Sequence, residues 1–102
     1  MKLVYKGKEI DVTQSHNDKI MRYKFPKLRH AIIIYDCNSY SSIASKQRID
    51  LALVDDNFHI ILFRYGMHEN TIQKDNRAKH TIIMPLGTFN NLEINTKFSL
   101  KD

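Results

Sequence analysis

Ile49-Asp50-Leu51-Ala52-Leu53-Val54-Asp55-Asp56-Asn57-Phe58-His59-Ile60-Ile61-Leu62-Phe63-Arg64-Tyr65 is the stretch on which the fold turns. Two apolar runs, 49–54 and 58–65, flank the triplet Asp55-Asp56-Asn57. Asp and Asn tolerate the left-handed backbone angles that tight hairpin turns require, so the spacing predicts an antiparallel hairpin. Both arms are apolar at nearly every position, which predicts a sheet covered on both faces.

Towards the N-terminus, Ala31-Ile32-Ile33-Ile34-Tyr35 is β-branched, too short for a typical helix and apolar on both sides of a pleat: a central strand. The Ser-rich stretch from Asp36 to Gln47 breaks any apolar period and reads as a surface loop with room for an edge strand. Leu3, Tyr5, Ile10 and Val12 alternate around Lys6-Gly7-Lys8, predicting two short strands with Gly7 in the turn. Ser15 can cap a helix from about His16 to Tyr23, stopped before Pro26 because the residue preceding proline avoids helical angles.

Towards the C-terminus, residues 66–79 are polar and aperiodic, a long connection. Thr81 to Met84 form an apolar strand stopped by Pro85, Thr88 can cap a helical turn through Leu92, and Glu93 to Leu100 return as a last strand. The expected core is Ile32, Ile34, Leu51, Leu53, Ile60, Leu62, Ile82 and Met84. The predicted architecture is α+β but mostly β. One domain over residues 1–102 holds about six to seven strands in a mixed or antiparallel sheet, or a barrel-like body, with two short helices.

Composition narrows the class. With 102 residues, 42 % of them hydrophobic, the chain can bury one core and is far from the disordered range. Its single cysteine, Cys37, permits no intrachain disulfide, whereas small secreted domains usually carry several. No apolar run follows the basic start Met1–Lys8, so no secretory signal is expected, and no window approaches the roughly 20 apolar residues of a membrane span. The expectation is a cytoplasmic protein.

Three residues carry the candidate chemistry: Cys37, Asp50 and His59. A reactive cysteine needs a cation or helix start to lower its pKa and a base in reach, which His30 or His59 could supply. The competing and favoured reading is a half-buried thiol packing as a small hydrophobe. Asp50 sits one position into an apolar strand, where an unpaired carboxylate is costly. It must therefore meet a cation such as Arg48 or Arg64, backbone amides, or water at the strand's end, and a structural role is favoured over a catalytic one. His59 reads as a strand residue facing solvent or bonded across the sheet. The five histidines show no metal-ligand spacing, and no metal or cofactor is expected. Pro85-Leu86-Gly87-Thr88 lacks the lysine and second glycine of a phosphate cradle and reads as a strand-to-helix turn.

The net charge of +5 is densest at Lys19, Arg22, Lys24, Lys27 and Arg29, with Tyr23 and Phe25 interleaved as a nucleic-acid surface requires. Such clusters are more often solvated faces.

From Cys37 onward the chain resembles the bacterial and archaeal domain-of-unknown-function family numbered 192. The matching residues are Cys37, Ile49, Asp50, Asp55, Asp56, Pro85, Gly87 and Thr88, in blocks without internal gaps. The family's His-Thr pair is replaced by Ser41 and Ser42, its methionine by Ser45, its proline before Ile-Asp by Arg48, its hairpin glycine by Asn57 and a glutamate by Ile83. The resemblance implies a fold and no assigned activity, and the polar positions that could line a shared site are the replaced ones.

The function expected is therefore a non-catalytic binding or interaction module of the cytoplasm. Its partner would be a protein or small ligand rather than nucleic acid or membrane, and it would be a monomer or weak homodimer. The alternatives are a small hydrolase-like enzyme using Asp50 with Cys37 or His59, and an electrostatic nucleic-acid binder using Lys19 to Arg29.

Overall fold

A computed structural model describes residues 1–16, 28–41, 47–68 and 71–102. Among these residues the chain forms nine strands and no helix. They are β1 (Lys2–Tyr5), β2 (Lys8–His16), β3 (Ala31–Tyr35), β4 (Ser39–Ser41), β5 (Ile49–Val54), β6 (Ile60–Arg64), β7 (Ile72–Lys74), β8 (His80–Pro85) and β9 (Ser99–Lys101). Seven of them make one sheet in the order β6-β5-β8-β3-β2-β1-β9, and β4 pairs with β7 in a separate ribbon.

The sheet curls into a half-barrel because β2 serves two neighbours. Lys8–Asp11 pair antiparallel with β1, while Val12–His16 run parallel to β3. The β1–β2 turn forms as its sequence requires: Lys6 and Gly7 both take positive φ, 48° and 83°, the angles that match a tight hairpin to the twist of its strands. A last segment stitches the two margins of the sheet together. Residues 95–98 lie against the start of β6, with Ile60 N donating to Thr96 O at 2.8 Å, Asn95 N to Ile60 O at 2.9 Å and Phe98 N to Phe58 O at 3.0 Å. The edge that would otherwise offer unpaired amides is thereby partly covered, and Arg64 Nη1 caps the carbonyl of Phe63 at 2.8 Å.

The hairpin 49–65 forms as predicted, by a different device. The left-handed residue is Phe58 (φ 63°), and none of Asp55, Asp56 and Asn57 has positive φ. Asp55 shapes the turn with its side chain instead: Oδ1 accepts the amides of Asn57 and His59, each at 2.9 Å. A bulge between Leu53 and Val54 absorbs the extra residue of β6.

Every residue of β5 is buried, and β3 and β8 are buried along nearly their whole length, so both faces of the central sheet are covered as the apolar runs predicted. The inner face packs Leu3, Tyr5, Ile33, Val54, Ile82, Met84, Phe89, Leu92 and Phe98 into the barrel. The outer face carries a second core of Leu28, Ile32, Ile34, Cys37, Ile49, Leu51, Leu53, Met67, Ala78 and Ile83, with Tyr40 and Leu62 against it. The eight expected core residues thus divide between two cores, and Leu62 is only half-buried.

Two expected helices need separate accounts. In the first, His16 closes β2, and residues 17–23 lie outside the described residues. The second, Thr88 to Leu92, is a turn and irregular chain. Thr88 does not cap forward; its hydroxyl donates back to Pro85 O at 2.6 Å. The amide that a helical turn would give to Thr88 O goes to a tyrosine instead, Leu92 N donating to Tyr65 Oη at 2.8 Å, and the neighbouring Asn91 O accepts from Tyr5 Oη at 3.1 Å. That arrangement lets Phe89 and Leu92 both plug the barrel. The last strand is also shorter than Glu93 to Leu100. Glu93–Thr96 turn on Asn95 (φ 69°), Lys97 makes a single bridge with His59, and regular pairing begins at Ser99.

Candidate functional site

Asp50 is the second residue of β5, 1 % exposed, and its two oxygens have two partners. Oδ1 accepts Gly66 N and Oδ2 accepts Gly87 N, both at 2.8 Å. A buried carboxylate is acceptor-only and needs donors. The turns that follow β6 and β8 supply them, because both glycines take positive φ (57° and 81°) and turn their amides inward. Of the expected partners, backbone amides are the ones found; Arg48 and Arg64 are exposed and form no ion pair with Asp50 among the described residues.

Asp50 therefore clamps two turns. Leu86 lies against the first of them, its Cδ1 3.5 Å from where a side chain on Gly66 would begin. Tyr65 is held edge-on to Phe63, with centroids 5.3 Å apart. Leu86 is 59 % exposed and Tyr65 46 %. The clamp is continuous with the C-terminal segment through Tyr65 and Leu92, and then with the β1–β2 turn, where Lys6 Nζ meets Glu93 Oε1 at 2.7 Å.

Cys37 lies at the other end of the sheet. Asp50 pairs with Met84 and Val54 with His80, and Cys37 follows Tyr35, which continues β3 beyond the Ile34–Thr81 pair. Four residues of strand at about 3.3 Å each put roughly 13 Å or more between Cys37 and Asp50. The thiol donates to Ser39 O at 3.0 Å and packs in the outer core, 9 % exposed. It lines an open cavity of about 230 Å³ with Asp36, Asn38, Ser39, Ala78 and Lys79. Lys79 Nζ sits 3.3 Å from Asp36 Oδ1 at that mouth.

His59 is at the same end as Cys37, but β5 and β8 stand between β6 and β3. Its Nδ1 is 3.4 Å from Asp55 Oδ1. Burial pushes the Asp55 carboxyl up, yet the amides of His59 and Asn57 and the His59 imidazole outweigh it and hold the acid below its ordinary value. Asp50 therefore lies at the opposite end of the sheet from Cys37 and His59, and no hydrogen bond or ion pair joins any two of the three among the described residues.

A residue that sequence reasoning passed over is His80. It is 8 % exposed, its Nδ1 accepts Asp36 N at 3.1 Å, and it sits edge-on to Tyr35 and tilted against Phe58, with centroids 5.0 and 5.6 Å away. Asp36, at φ 55°, turns the chain out of β3 into the cavity wall, so this bond fixes the wall. The one signal was its place at the head of an apolar strand, with no motif around it.

Of the basic cluster, Lys19, Arg22, Lys24 and Lys27 lie outside the described residues, and Arg29 is exposed. Among the described residues no three His, Cys, Asp or Glu side chains gather to hold a metal ion, and no helix is long and apolar enough to cross a membrane. No protein-family model, no curated protein and no solved structure matches the chain, so the resemblance to family 192 has no second witness.

Proposed function

We propose that the protein is a small non-catalytic binding module, working in the cytoplasm as its single reduced cysteine suggests. The observation that carries this reading is the fate of Asp50. Both of its oxygens are spent on main-chain amides of two turns, a scaffolding use that leaves the group buried at the opposite end of the sheet from Cys37 and His59. A nucleophile and its base work at hydrogen-bond reach, and the hydrolase reading requires that of groups at opposite ends or on separated strands. The barrel interior, filled by aromatic and aliphatic side chains, offers recognition to the surface rather than to an internal ligand.

The test is an assay of the purified chain and of Cys37→Ala and His59→Ala against ester, phosphoester and peptide chromogenic substrates. No turnover above buffer is expected from any of the three. Turnover by the natural chain that either substitution abolishes would overturn the reading.

A further inference from the structure

The end of the barrel clamped by Asp50 carries positive charge that its own contacts leave free. β3 and β5 begin there and β6 ends there, so Arg29, Arg48 and Arg64 come to one rim, all exposed. The β1–β2 turn, tied to Asn91 and Glu93 through Tyr5 and Lys6, adds the exposed Lys8. None of these four cations enters an ion pair among the described residues. Among the described residues the exposed acids at this end, Glu9 and Glu93, are paired with Lys101 and Lys6, and the remaining acid, Asp50, is buried on its two amides. Two exposed apolar side chains share this end: Tyr65, on the Phe63 face of β6 and so across the rim from Arg64, and Leu86 next to Pro85, the partner of Ile49 that follows Arg48.

We propose that this rim docks a short acidic segment of a partner protein, an apolar side chain of the segment seating on Tyr65 and Leu86 and its carboxylates on Arg48 and Arg64. The proposal rests on the binding-module reading and gives it a surface. Guanidinium groups match carboxylates in paired hydrogen bonds, and tyrosine and arginine around an apolar centre are the composition of energetic interface cores. The two turns are held by the Asp50 clamp before any partner arrives, which reduces the ordering cost of binding. Single-stranded nucleic acid fits this rim less well, because it uses several stacking faces. Tyr65 is the one aromatic among the exposed large apolar residues described, with its ring set against Phe63 and its hydroxyl tied to Leu92.

The experiment titrates the ¹⁵N-labelled chain with a synthetic peptide of Asp and Glu flanking a central Leu-Phe pair, with an all-acidic peptide of equal length, and with an oligothymidine. The Leu-Phe peptide is expected to saturate, shifting the amides of Arg48, Arg64 to Gly66 and Leu86 to Gly87, and to weaken as salt is raised. Arg48→Glu with Arg64→Glu should lower its affinity by roughly tenfold or more, and Leu86→Ser should remove its advantage over the all-acidic peptide. These positions are exposed, so the variants keep the fold, which their spectra report directly. Tighter binding of the oligothymidine at the same rim, shifts centred on Asp36–Ser39 and Lys79, or no saturation by the peptide would each overturn the proposal. Those results leave the binding-module reading intact, whereas turnover lost in Cys37→Ala or His59→Ala overturns that reading without touching the rim.

Discussion

Asp50 shows how a single side chain can hold two turns of a fold together. Each of its two oxygens, on a side chain 1 % exposed, accepts one main-chain amide, and removing the carboxylate takes that partner from both turns. Asp50→Asn places an NH₂ opposite one of the two glycine amides and should cost about 2 kcal/mol or more, seen as a lower urea midpoint with an unchanged slope. A variant as stable as the natural chain would mean the clamp contributes nothing. Tyr5 works the same way on the C-terminal segment. Its hydroxyl, on a side chain 1 % exposed, meets Thr96 Oγ1 at 2.7 Å and accepts Glu93 N at 3.1 Å. Tyr5→Phe keeps the ring contacts to Phe89 and Phe98 and should lose roughly 1–3 kcal/mol, with faster amide exchange confined to residues 91–96.

At the scale of elements, the β3–β4 and β7–β8 turns each contribute a pH dependence. Burial lowers the pKa of His80, and Lys79 adds to this, while Asp36, Asp56 and Asp55 oppose it. Geometry agrees with the direction, since Nδ1 accepts the Asp36 amide and cannot do so once protonated. A histidine whose folded pKa lies below its unfolded value of 6.5 stabilises fully above 6.5 and loses that contribution as pH falls through the folded value. Stability should therefore decline on acidification below about 6.5, and His80→Asn, whose side-chain oxygen can replace Nδ1 as acceptor without titrating, should flatten that limb. Urea midpoints across pH 4 to 8 test this; parallel curves for both chains would remove His80 from the account. A second, lower limb belongs to Asp75. Hydrogen bonds from the Arg77 side chain and then its amide hold it at about 2, so its contribution is present above 3.8 and lost as pH falls towards 2.

The whole molecule depends on its last segment. Phe89, Leu92 and Phe98 fill the barrel, residues 95–98 stitch β6, and β9 flanks β1. A chain ending at Leu92 would lose Phe98 and the stitch and leave β6 with a bare edge, the template for pairing between chains. It should lose its cooperative thermal transition and run as aggregate by size-exclusion chromatography. A monomeric chain with a sharp transition would show that the half-barrel closes without it.

The sequence alone determined the local elements, because alternation and β-branching act over neighbouring residues: the β1–β2 turn at Lys6-Gly7, the central strand Ala31–Tyr35 and the hairpin 49–65 were readable there, although only the first arm of the hairpin is covered on both faces. It also showed that Asp50 must find a partner, since the cost of a bare carboxylate among apolar residues is local too. What it could not show was which partner. Gly66 and Gly87 lie 16 and 37 residues away and meet Asp50 only once β5, β6 and β8 are side by side. The same limit explains Thr88–Leu92. Local capping favours a helical turn, and a distant tyrosine, Tyr65, takes the Leu92 amide that turn would have used, while Tyr5 holds the next carbonyl, Asn91 O. Strands are set by near neighbours in sequence; the clamp, the stitch and the charged rim are set by chain segments that only the curled sheet brings together.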